Sequence, residues 1–111
     1  MSGAAEKGSR HWLWQRATSV ALIPLSLWFV PALISLSSAP HEKAAAWFGR
    51  PLNALLAWVF VATVCLHAAL GVRVVLDDYV SHEPTRDGAI KAVNFLMIVL
   101  AALAAAILAF A

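Results

Sequence analysis

The chain is expected to be an all-α integral membrane protein, a bundle of three transmembrane helices in a single domain over residues 1–111. Three observations predict this. Of 111 residues, 62% are hydrophobic and only 13% are Asp, Glu, Lys or Arg, against about 25% charged in an ordinary soluble domain. A domain this small cannot hide so large an apolar fraction in a soluble core, and disorder needs the opposite composition. Three stretches also reach the roughly 20 apolar residues that a span requires. With no water in the bilayer, each must satisfy its own backbone as a helix.

The first span is expected at about 16–36. Its prolines, Pro24 and Pro31, each remove a backbone donor, so a kink or a local partner is expected, with Thr18, Ser19 and Ser26 available for the freed carbonyls. The residues from Ser37 to Pro51 read as a polar link. The second span is expected at about 52–76. The residues from Asp77 to Gly88 form an acidic second link, with Pro84 and Gly88 as breakers. The third span is expected at about 89–111. Its alanines at 101, 105, 109 and at 102, 106 suit either close helix approach or a plain lipid-facing helix.

Basic residues orient the bundle. Lys7, Arg10 and Arg16 precede the first span and Arg73, Arg86 and Lys91 flank the second link, against Lys43 and Arg50 in the first link. Six against two predicts a cytoplasmic N-terminus and second link, with the C-terminus on the other side. Trp12, Trp14, Trp47 and Tyr79 are expected at the interfaces, where amphipathic rings are favoured. No secretory leader is expected, since the first eleven residues are polar. A net charge of +2 is too small for a nucleic-acid surface. Cys65 is the single cysteine, so neither an internal disulfide nor a Cys-x-x-Cys site is available.

His67 carries the most information. It lies nine residues before Leu76, about 14 Å inside the second span, where an ionisable side chain is costly. Two readings stand: a nitrogen ligand to haem iron or another metal, or a histidine hydrogen-bonded to a neighbouring helix. At 100° per residue, Phe60, Thr63, His67, Gly71, Val74 and Asp78 fall within about 40° of one stripe. Gly71 leaves room beside His67 either for a flat ligand or for a close helix. Arg73, off the stripe, reads as a snorkelling cation or as a contact to an anionic group. Asp77 and Asp78 oppose the helix macrodipole, so they do not stabilise the helix end. Tyr79 offers a phenolic donor at the interface. His11, His41 and His82 read as surface residues, and no phosphate loop or H-E-x-x-H motif is present.

The segments HWLWQRAT at His11–Thr18 and LHAALGVRVVLDDY at Leu66–Tyr79, set in a three-span layout, resemble the small hydrophobic membrane anchor subunit of bacterial succinate dehydrogenase, respiratory complex II. PLSLWF at Pro24–Phe29 looks like the alphaproteobacterial and mitochondrial-like branch. The resemblance implies half of a heterodimeric cytochrome b anchor in the bacterial inner membrane, among membrane lipids. Its partners would be a larger cytochrome b anchor subunit, an iron–sulfur subunit and a flavoprotein subunit, passing electrons from succinate to ubiquinone. It implies that His67 is an axial ligand of haem b, the other coming from the larger anchor subunit. Gly71 would border that haem, Arg16 would neighbour its propionates or the quinone pocket, and Asp78 and Tyr79 would lie at the quinone site. The rival expectations are the anchor of a quinol:fumarate reductase and a non-redox membrane tether.

Overall fold

The computed structural model describes residues 3–110, with side chains from Ser9 onward. It is built of four helices: α1 (Gly3–Ser37), α2 (His41–Gly49), α3 (Pro51–Tyr79) and α4 (Glu83–Ala109). Three of them, over Ser9–Ser37, Pro51–Tyr79 and Glu83–Ala109, are long and apolar enough to cross a membrane. The expected three-span all-α bundle is therefore present. Its long dimension of 53 Å exceeds the roughly 40–45 Å of a bilayer with its headgroups, so the helix ends project beyond the hydrocarbon.

Each helix is longer than the apolar run that announces it. α1 begins before residue 16 because nothing from Gly3 to Gln15 breaks a helix beyond the tolerated Gly8. α3 continues through Asp77, Asp78 and Tyr79 and is capped at Val80, whose N–H bonds Leu76 O at 3.0 Å. The second link therefore shrinks to Val80, Ser81 and His82. Pro84, expected as a breaker, instead opens α4 within its first turn, where a missing N–H costs nothing, and Gly88 is an interior helical residue. The first link holds the additional helix α2, which begins after Pro40 and runs through Ala44, Ala45 and Ala46. Alanine is the best helix former. Ala111, the last residue of the expected third span, lies outside the described residues.

α1 runs unbroken through Pro24 and Pro31. The carbonyls these prolines leave free belong to Val20 and Leu27, one turn earlier. The expected hydroxyl rescue falls elsewhere: Thr18 Oγ1 lies 2.8 Å from Trp14 O and Ser19 Oγ donates to Gln15 O at 2.8 Å.

α3 is the central helix, packed against α1, α4 and α2. Its seam with α4 is lined by small side chains. Ala57 is 1% exposed, and Ala101, Ala104 and Ala105 turn a half-buried face inward while Ala102, Ala106 and Ala109 are exposed. Small residues let membrane helices approach closely, and the Trp58 indole donates across this seam to Ala101 O at 3.0 Å. At the same end of α3, Phe29, buried on α1, meets Phe60 of α3 at 5.0 Å and Phe48 of α2 at 6.4 Å between ring centroids. Trp28 stacks on Trp47 at 5.5 Å. Aromatic pairs contribute about 0.5–1.5 kcal/mol each beyond burial, and these hold α2 to the bundle. Trp47 is thus part of a cluster and not a free interfacial ring, whereas Trp12, Trp14 and Tyr79 are exposed.

Candidate functional site

His67 is sixteen residues from Pro51 and twelve from Tyr79 along α3, about 24 and 18 Å from the two ends. It sits in the middle of the span. The antiparallel packing of α1 on α3 brings Thr18 opposite it, with Thr18 Oγ1 2.8 Å from His67 Nδ1. Thr18 is 5% exposed, a buried polar side chain in the α1–α3 seam. His67 is half-buried, and among the described residues its hydrogen bond runs through Nδ1 alone. Nε2 remains available.

The polar face continues along the same seam. One turn beyond Thr18, Gln15 stands opposite Gly71, and one turn further lies His11. A Cβ built at Gly71 would meet the Gln15 side-chain nitrogen at 3.9 Å, an ordinary contact. The approach of α1 does not require glycine there. Among the described residues, Gln15 Oε1 and His11 Nε2 are buried with no hydrogen-bond partner. An unpaired buried polar atom costs about 1–3 kcal/mol, so both atoms call for a water or a bound group. His11, which reads from sequence as a surface residue, is half-buried.

An open cavity of about 690 Å³ lies where α1 begins and α3 ends, lined by Arg10, His11, Trp14, Arg73, Asp77 and Asp78 among others. It brings two cations and two carboxylates around one opening. Asp78 is at its rim, on the same α3 stripe as His67 and about three turns away. Tyr79 is 83% exposed and does not line it, since α3 stays helical through residue 79 and turns the phenol aside. Arg16 is also separate: it is exposed on another face of α1, its guanidinium 5.6 Å from the Trp12 ring centroid. Arg73 also borders a second, more apolar cavity of about 380 Å³ between α3 and α4, with Cys65, Asn94 and Met97.

Among the described residues no three His, Cys, Asp or Glu side chains converge as a metal site. A bare zinc-like ion takes three or four protein ligands, which His67 alone does not offer. A porphyrin iron needs only axial ligands, and a single mid-span imidazole with a free nitrogen meets that need from one side. Gly71, which no neighbouring helix demands, adds no side chain of its own one turn away, where Gln15 of α1 stands. The donor set therefore fits a haem shared with a second chain.

Known proteins resemble the chain along most of its length. The family described as succinate dehydrogenase/fumarate reductase transmembrane subunit matches residues 2–109. The succinate dehydrogenase hydrophobic membrane anchor subunit of Rickettsia bellii is 34% identical over 97 residues, 87% of this chain and 78% of that protein. The subunit of the same name from Rickettsia conorii is 33% identical over 88% of this chain and 79% of its own length. That from Paracoccus denitrificans is 31% identical over 90% and 78%. No solved structure matches. With a match across nearly its whole length, the chain belongs to the succinate dehydrogenase/fumarate reductase transmembrane subunit family.

Proposed function

We propose that this chain is the small membrane anchor of a succinate:ubiquinone oxidoreductase, supplying one axial ligand of haem b and part of the ubiquinone-reduction site. One observation carries the reading: His67 is held at mid-span through Nδ1, with Nε2 free to ligate. The names of the relatives support succinate oxidation over the reverse reaction and over a bare tether.

In this reading the chain pairs with a larger cytochrome b anchor subunit, which would supply the second haem ligand. Together they seat the iron–sulfur and flavoprotein subunits on the inner membrane. The excess of basic residues on one side supports a cytoplasmic N-terminus and Val80–His82 link. Bound at His67, haem b supplies one-electron redox chemistry between the soluble subunits and the membrane. This chain's residues do the rest. Gly71 keeps the porphyrin's approach clear. Arg16, exposed on the outer face of α1, presents its guanidinium to carboxylates such as the propionates.

Ubiquinone reduction consumes two electrons and two protons, so the ring oxygens must meet proton donors at the membrane border. The Arg10–His11–Asp78 cavity provides a polar opening there. Tyr79, exposed at the end of α3, donates a hydrogen bond to one quinone oxygen. Asp78 orders the cationic groups at the rim. No residue of this chain handles succinate.

Replacing His67 tests the reading. The His67→Ala complex is expected to lose or rearrange the low-spin b-type spectrum. An unchanged bis-histidine spectrum would refute the ligand assignment, and a wild-type complex without any b-type signal would refute the haem reading altogether.

A further inference from the structure

Thr18 is the buried hydroxyl of the bundle, and three groups compete for it. His67 Nδ1 lies 2.8 Å away, Trp14 O 2.8 Å and Gln15 O 3.1 Å. A hydroxyl has one proton to give and two lone pairs to receive with. Both carbonyls can only accept, whereas Nδ1 either donates or accepts according to the tautomer. Two arrangements are open. If the hydroxyl donates to Nδ1, one hydrogen bond forms, the carbonyls keep only their helical donors, and the ring proton sits on Nε2. If Nδ1–H donates to the hydroxyl, the hydroxyl proton is free for Trp14 O. Two bonds then form from the same atoms, and the ring's lone pair sits on Nε2. In a medium without water to compensate, the arrangement with the additional bond wins.

We propose that Thr18 is a positioning residue that fixes the His67 tautomer and ring orientation, presents Nε2 as the ligating nitrogen, and sets its basicity. This rests on the haem reading above. A metal-bound imidazole whose other N–H is held by an acceptor is a stronger donor. A stronger donor nitrogen favours ferric over ferrous iron, so the Thr18 contact holds the haem midpoint potential down. The acceptor is supplied by α1 and the ligand by α3, which couples the spacing of the two helices to the ligand's electronic character.

Two variants test this in the assembled complex: Thr18→Val, which keeps the shape and removes the acceptor, and Thr18→Ser, which restores the hydroxyl. The readouts are a potentiometric titration of the b-type absorbance and the low-spin electron paramagnetic resonance signal. Thr18→Val is expected to raise the midpoint potential and shift the low-spin signal, and Thr18→Ser to return both toward wild type. A Thr18→Val complex with wild-type potential and signal overturns the proposal. If Thr18→Val loses haem entirely, recovery in Thr18→Ser supports the hydroxyl's role, and failure of Thr18→Ser to recover it overturns that role in favour of packing. A missing b-type spectrum in the wild type overturns the haem reading itself, before any Thr18 variant is consulted.

Discussion

Tyr79→Phe separates the quinone site from the rest of the complex. The perturbation removes one oxygen and leaves the ring. Tyr79 is 83% exposed at the end of α3, so the phenol supports no packing inside this chain and its loss leaves the bundle's stability unchanged. The donor matters only toward a bound quinone. A neutral hydrogen bond contributes about 0.5–1.5 kcal/mol net, which corresponds to a factor of about 2 to 13 in an equilibrium or a rate, since each 1.36 kcal/mol is tenfold. The factor rises if the quinone oxygen is left buried and unpaired. The assay compares succinate-driven reduction of a short-chain ubiquinone with succinate-driven reduction of a soluble dye by the same purified complex. Quinone reduction is expected to fall by that factor while dye reduction stays within error. Equal loss in both assays signals failed assembly, and no loss in either shows that Tyr79 is an interfacial ring with no part in quinone binding. Either result refutes the reasoning.

Topology is testable with single cysteines on the two sides, in a Cys65→Ala background. Cysteines at Ser81 and Ser38 are expected to react with an impermeant thiol reagent from opposite faces of sealed vesicles; labelling from one face alone overturns the orientation. Trp58→Phe removes the indole donor to Ala101 O. Interhelical hydrogen bonds in membranes average about 0.6 kcal/mol and reach about 1.7, so a modest drop in the detergent unfolding midpoint is expected. An unchanged midpoint would show that the α3–α4 seam rests on its alanines alone.

The three spans were legible because the bilayer imposes a coarse rule: about 20 apolar residues, each run a helix. The ends were less so, because the rule reports where the hydrocarbon stops and not where the helix stops. Asp77, Asp78 and Pro84 look like link residues by composition, yet a carboxylate in water does not break a helix and a proline in its first turn begins one. α2 escaped because its nine residues, His41–Gly49, are too few for a periodic signal. The α3 stripe from His67 to Asp78 followed from helical geometry alone. Its counterpart on α1 did not. α1 is apolar around most of its circumference, so nothing local selects which face meets α3. That choice depends on long-range packing, and it makes Thr18, Gln15 and His11 site residues. A polar residue every third or fourth position from His11 to Thr18 was the signal that could have found them.

That stripe also explains how a chain with so little core forms a defined bundle. Phe29, Ala57 and Cys65 are its buried apolar residues, while Leu27, Ile34, Phe95 and Ile107 are among many large ones left exposed. In lipid such exposure carries no penalty, and the hydrophobic effect does not drive one helix onto another. Register must come from shape and from polar contacts with no substitute in hydrocarbon. The Phe29 cluster fixes one end of α1 against α3, and the Thr18–His67 contact fixes the middle. Sliding α1 by one turn, about 5.4 Å, would leave the Thr18 hydroxyl and His67 Nδ1 without each other. The third stretch of the seam is different: Gln15 Oε1 and His11 Nε2 are buried and, among the described residues, unpaired. Packing that satisfies one polar pair and strands two polar atoms beside it is stable only if something else bonds the stranded ones. The α1–α3 seam is thus set in register by His67 and left open between His67 and Asp78, the stretch where the proposed haem and quinone groups would meet the chain.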